Sequence, residues 1–291
     1  MKTRHRLLCL FCLLLCSAAA WGDTLQVLYP ASGTVNDVRF RDLIEVLRTA
    51  LDKTTPEFGP FELRPFHGSM NEARYLYELK SGHSINIAWS STSVEKERDF
   101  LPIRIPLRKG LLGYRVALIS AGAQEKIDQV QTLADLRRLT VGQGIGWGDV
   151  QLYRANGIPV VTANYDNLFK MTVLDRFDLF PRGIGEIQAE YELFHKELPK
   201  LAIEKNLLIY YPWPYYFFFN QKDLALKTRV ETGLRIMLRD GSFDQLFRKH
   251  NGKAIELIKL KHRRIIQLRN DLLPKETPLS DSSLWFDPTK D

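Results

Sequence analysis

Residues 84–98 read SINIAWSSTSVEKER. The apolar residues Ile85, Ile87, Ala88 and Trp89 open the stretch and predict a buried strand over 84–89. Ser90, Ser91, Thr92 and Ser93 then break the run. Thr92 followed by Glu95 has the spacing of a capping box, which predicts a helical turn starting there with Arg98 at its far end. A strand that ends in hydroxyls, beside a helix N-terminus and an arginine, gathers hydrogen-bond donors around one small anion. The stretch pairs no nucleophile with a base, so it points to binding rather than catalysis.

Working outward, residues 25–29 (LQVLY) read as a first strand, and Asn36 or Asp37 caps a helix. Phe40, Leu43, Ile44, Leu47, Ala50 and Leu51 recur there with the spacing of one buried helix face. A strand over 61–66 and a helix over 71–79 lead into the strand at 84–89. This alternation predicts a parallel α/β unit with its ligand crevice at the strand C-termini. Tyr29 and Trp89 sit at such ends, where a ring either packs in the core or stacks on a ligand.

Residues 101–110 (LPIRIPLRKG) lead into a strand over 113–120 and read as a crossover into a second domain. A helix over 134–139 and a strand from 140 precede Gly142, Gly144, Gly146 and Gly148, which surround Trp147. The spacing is not that of a dinucleotide fingerprint. It allows backbone to approach a ligand where a helix starts near Asp149, which makes Gly146, Trp147 and Gly148 candidate contacts. A strand over 159–162, a helix over 165–174, the segment RFDLFPRG at 176–183 and a helix over 184–195 follow. Residues 207–220 (LLIYYPWPYYFFFN) read as the return crossover, because Pro212 and Pro214 exclude a regular central strand there. A helix over 224–238 comes next, and the tail at 263–288 is expected to wrap over the first domain. The two crossings divide the chain into 23–110 plus 212–291 around an inserted 111–211.

Ser90-Ser91-Thr92-Ser93, then Val94, then Arg98 after Glu95-Lys96-Glu97, resembles the segment found in family 3 solute-binding proteins, the periplasmic amino-acid-binding components of ABC transporters. Residues 142–149 and 176–183 resemble the same family less specifically. The resemblance implies an α/β, two-lobed periplasmic-binding-protein type II fold, with mixed sheets joined by a two-strand hinge. It implies that Ser90, Ser91 and Ser93 hold the ligand and that Arg98 pairs with its carboxylate. Where many amino-acid binders of the family carry an acid for the ligand ammonium, this chain has Pro181, Arg182 and Gly183. An arginine there favours a second anionic group, and Glu186 falls on the following helix. The implied partners are a small carboxylate-bearing ligand and either ABC transporter membrane subunits or a membrane sensor protein. A dehydratase-type enzyme is the alternative on the same scaffold.

The N-terminus agrees with export. Lys2, Arg4 and Arg6 precede an apolar run over 7–16 and small residues over 17–20, the layout of a secretory signal peptide over 1–22. Cys9, Cys12 and Cys16 all lie in that segment, so the expected mature chain has neither a disulfide nor a thiolate metal site. Removing its three basic side chains takes the formal charge from +7 to +4. Lys259, Lys261, Arg263 and Arg264 then read as a solvated face, not a nucleic-acid patch. His67, His83, His195, His250 and His262 show no metal-binding spacing, and no cofactor is expected. Together, the resemblance and the export signal imply a periplasmic, monomeric binding protein without a catalytic role, with a sensor component or a dehydratase-type enzyme as the alternatives.

Overall fold

The structure is a computed structural model and describes residues 24–31 and 40–288. The expected signal peptide over 1–22 and the expected cap at Asn36 or Asp37 lie outside the described residues. The first lobe begins with β1 (Leu25–Ala31), α1 (Arg41–Phe58), β2 (Phe61–Ser69), α2 (Glu72–Ser81), β3 (Ala88–Ser91), α3 (Val94–Asp99) and β4 (Phe100–Ile103). The second contains β5 (Tyr114–Ser120), α4 (Gln124–Asp128), α5 (Leu133–Leu136), β6 (Val141–Gly144), α6 (Asp149–Ala155), β7 (Val160–Ala163), α7 (Tyr165–Val173), β8 (Phe180–Gly183), α8 (Ile184–Phe194), β9 (Leu201–Ile203) and β10 (Leu207–Tyr210). The chain returns through β11 (Tyr215–Asn220) and α9 (Leu224–Asp240), and closes with α10 (Ser242–Ile258) and β12 (Arg264–Gln267).

In the first lobe β1 and β2 pair in parallel across α1, as a strand–helix–strand unit requires. The apolar stripe of α1 (Leu43, Val46, Leu47, Ala50, Leu51) is buried, largely against α9. Each such large side chain contributes about 1.5–3 kcal/mol of burial. Arg229 of α9 closes the end of α1 by donating to the Phe58 and Gly59 carbonyls at 3.3 and 2.7 Å. These are acceptors that a helix C-terminus otherwise leaves unbonded.

The expected strand over 84–89 is shifted: β3 spans Ala88–Ser91 and pairs antiparallel with β11, which also pairs antiparallel with β4. Upstream of it, the Asn86 side chain accepts from Leu28 N–H at 2.8 Å and donates to the Gln26 carbonyl at 2.7 Å. An amide side chain thus substitutes for strand backbone beside β1. The capping also differs from the sequence reading. Ser93, not Thr92, is the N-cap of α3 and accepts from Lys96 N–H at 3.3 Å, whereas Thr92 donates to Glu97 at 2.6 Å.

The second lobe is built on β5, which pairs antiparallel with β8, β9 and β10. A parallel pair, β6–β7, joins it through a bridge from Val141 to Leu179. Two segments connect the lobes, 104–113 between β4 and β5 and 211–214 between β10 and β11. They touch at Gly113, where a Cβ would stand 1.8 Å from the Tyr211 carbonyl oxygen, so only glycine fits. The end of the chain departs from the expected wrap over the first domain. β12 adds to the second lobe's sheet in parallel with β10, and α10 inserts Phe243 into the first core and Phe247 into the second.

Candidate interlobe binding site

Strand ends and helix starts from both lobes converge beside the connecting segments. On the first lobe, Trp89 packs 5.8 Å from Tyr29 and 5.6 Å from Phe40, centre to centre. Tyr29 is 9% and Trp89 2% exposed, so both rings are mainly wall. Arg108, on the connection after β4, lies 6.0 Å from the ring centres of Phe40 and Tyr215. Asp42, in the first turn of α1, accepts from Arg108 Nε at 2.6 Å and Nη2 at 2.8 Å. Burial opposes the Arg108 charge, but the Asp42 carboxylate outweighs it and leaves the guanidinium pKa raised.

On the second lobe, the turn after β6 contains Gly146 at φ +81° and carries Trp147 back over Gly144, where a Cβ would meet the indole at 2.2 Å. Gly148 is the N-cap of α6, and the Trp213 ring rests against it. Arg182 lies 4.8 Å from the Trp147 ring centre and donates twice to Glu190, both at 2.6 Å. Tyr165 donates to the same carboxylate at 2.8 Å. Behind this layer Arg115 pairs with Asp149 at 3.0 Å and donates to the Tyr211 hydroxyl, which donates in turn to Asp149. Burial pushes the Tyr211 pKa well up, which keeps that donor protonated.

Glu186 is the common neighbour of these charges. Its carboxylate accepts from Gly183 N–H at 3.2 Å, lies 3.1 Å from Arg182, and remains 49% exposed at the start of α8. Its field also reaches Arg115 in its own lobe and Arg108 of the other, as a minor influence behind desolvation and the larger pulls of Asp149 and Asp42. Among the described residues, Arg108 pairs with Asp42, Arg115 with Asp149, and Arg182 with Glu186 and Glu190.

The hydroxyl stretch is arranged differently. Ser90 is fully buried, donates to Glu72 and receives a bond from Lys96 Nζ at 2.6 Å. Lys96 Nζ also donates to Glu72 at 2.7 Å. The Ser91 carbonyl accepts from Lys96 at 3.0 Å, and Ser93 is spent on the cap of α3.

Arg98 is not brought to the cluster. The register opposes Tyr215 to Ser91 at the interlobe end and Asn220 to Phe100 at the other, which puts the end of α3 at the outer edge. There Arg98 is 70% exposed and pairs with Asp99 at 3.2 Å. Of the residues marked by the sequence, Tyr29 and Trp89 pack together in the first lobe, and Gly146, Trp147, Gly148 and Arg182 lie around the turn after β6 in the second. Arg108, Asp42, Arg115 and Asp149 were not marked by the sequence. Their one advance signal was position, at a crossover or in the first turn of a helix.

No protein-family model and no curated protein matches the sequence. Solved structures do match in shape. YckB of Bacillus subtilis superposes with a TM-score of 0.53 at 17% identity, over 85% of this chain and 97% of its own. An amino acid ABC transporter substrate-binding protein of Streptococcus pneumoniae, bound to L-arginine, gives 0.51 at 14% identity, over 78% and 94%. A Salmonella typhimurium periplasmic binding protein with high arginine specificity gives 0.50 at 15%, over 78% and 99%. At these identities the likeness establishes architecture: the chain has the two-lobed α/β fold of the family 3 solute-binding proteins.

Proposed function

We propose that this protein is a periplasmic solute-binding protein that captures a small ligand bearing both a carboxylate and an ammonium, such as a polar amino acid, between its lobes. The observation that carries this reading is the half-exposed Glu186 carboxylate, 3.1 Å from Arg182 at the start of α8, with Arg108 held by Asp42 on the other lobe. A ligand carboxylate would meet Arg108 and its ammonium Glu186, so that one small molecule draws the lobes together. The exposed Glu186 carboxylate favours a ligand that carries an ammonium over a dicarboxylate, since unit charges 4 Å apart interact by about 4 kcal/mol near a protein surface. Trp147 and Tyr215 border the gap and supply apolar walls. Delivery to ABC transporter membrane subunits, by a monomer exported through residues 1–22, completes the proposal.

The test is to denature the purified protein, identify any released small molecule by mass spectrometry, and screen amino acids and carboxylates by thermal shift. A ligand at a thousandfold its dissociation constant stabilises by about 4 kcal/mol. An amino acid hit supports the reading. Hits confined to dicarboxylates refute the role given to Glu186. A hit together with co-purification of a membrane kinase or cyclase, and not of transporter subunits, would assign the protein to sensing.

A further inference from the structure

The C-terminal segment crosses the two interlobe connections instead of ending on one lobe. Its first anchors are on the second lobe: Leu268 N–H donates to the Tyr210 carbonyl at 2.7 Å, and the Asn156 side chain brackets the Arg269 backbone at 2.7 and 3.0 Å. Asn270 then donates to the Pro212 carbonyl, on the return connection, at 2.9 Å. Thr277, 7% exposed, lies against Tyr216 of the first lobe.

The decisive part is the run Leu284, Trp285, Phe286. Leu284 packs against the first lobe's core, and Phe286, 6% exposed, belongs to the second lobe's core. Trp285 between them covers Gly110 of the first connection, where φ is +71° and a Cβ would meet the indole at 2.4 Å. Phe286 N–H donates to the Lys109 carbonyl, and the Tyr114 hydroxyl donates to the Phe286 carbonyl, both at 2.7 Å. Phe286 also packs 5.6 Å from Phe247, the residue through which α10 enters the same core.

We propose that residues 284–286 form a clasp that holds the lobes near the arrangement seen here and so sets how far the binding gap opens. Leu284 and Phe286 are two residues apart, so that close spacing holds the two cores together. Separating the lobes at this edge requires one of the two side chains to leave its core, or the hydrogen bonds to Lys109 and Tyr114 to break. The inference rests on the interlobe site proposed above, because it names what regulates access to that site. It does not depend on which ligand is bound.

Two substitutions loosen the clasp without touching the site. Leu284→Ala removes the first-lobe contact from a partly buried position. Tyr114→Phe removes only the hydroxyl that holds the Phe286 carbonyl. Small-angle X-ray scattering of the ligand-free protein is expected to show a larger radius of gyration and maximum dimension in both variants, and the largest in the double variant, with cooperative thermal melts retained. Unchanged scattering in cooperatively melting Tyr114→Phe and double variants would overturn the proposal. If Leu284→Ala alone fails to fold, Tyr114→Phe decides. Absence of any ligand, with the expansion still seen, would count against the binding function and leave the clasp standing.

Discussion

Arg182 and Glu190 meet in a two-point ion pair within the second lobe, Nε to Oε2 and Nη2 to Oε1, each at 2.6 Å. The same guanidinium lies against Trp147 and is 8% exposed, so it holds one wall of the gap while Glu186 faces outward. Desolvation opposes the Arg182 charge, but the hydrogen bonds to Glu190 prevail and its pKa is raised. Removing one partner of such a pair leaves the other buried and uncompensated. Arg182→Ala is therefore expected to cost about 3–5 kcal/mol in urea denaturation, and the double variant R182M/E190L far less. Equal costs for the single and double variants would contradict this.

Glu186 is expected to behave in the opposite way. Half-exposed, it contributes little to folding, and Glu186→Gln should change stability by less than about 1 kcal/mol. Loss of one charge-assisted hydrogen bond to a ligand ammonium should weaken binding by about ten- to a hundredfold. Calorimetric titration with the ligand identified by mass spectrometry makes the comparison.

Arg108 and Arg98 form a contrasting pair. Arg108→Lys keeps the charge but cannot reproduce the two-point contact with Asp42, and should weaken binding at least about tenfold. Arg98 is exposed and pairs with its neighbour Asp99, so Arg98→Ala should leave affinity unchanged and stability within about 0.5 kcal/mol. Loss of binding in Arg98→Ala would return the carboxylate to the hydroxyl stretch.

Arg229 has a structural role that stability measurements can isolate. It is 2% exposed, and burial pulls its pKa down while it caps α1. Arg229→Ala should cost about 2–4 kcal/mol, through a cavity and unbonded helix carbonyls. Arg229→Met should cost less, because it keeps the apolar stem.

Glu45 ties α1 to α10 through Lys249 and His250, at 2.6 and 2.7 Å. The hydrogen bond from Lys249, then that from His250, holds its carboxyl below the ordinary value of 4.5. A lowered carboxyl pKa stabilises the fold above the unfolded value, and that contribution is lost as pH falls through the folded one. The stability difference between the native protein and Glu45→Gln should therefore be present above the ordinary carboxylate value of 4.5 and shrink as the pH falls below it through the lowered folded value, with a size below about 1 kcal/mol for so exposed a group. A difference that grows on acidification would contradict it.

The order of elements was legible because periodicity is a local property. The stripe of α1 and the prolines flanking residue 213 announced a buried helix and a crossing between lobes. The site was less legible. Ser90, Ser91, Ser93 and Arg98 have the spacing of an anion cradle, yet where a charge points depends on which neighbours it finds. Lys96 and Glu72 claimed Ser90, and Asp99 drew Arg98 outward.

The sequence by itself determined two α/β lobes and two crossings, because apolar spacing and proline positions act over a few residues. Only the tertiary structure decided that Arg108 is held by Asp42, that Arg182 is neutralised within its own lobe, and that the tail joins both cores. Those outcomes depend on distances between residues far apart in the chain. Ion pairing and packing respond to such distances, whereas local sequence spacing does not encode them.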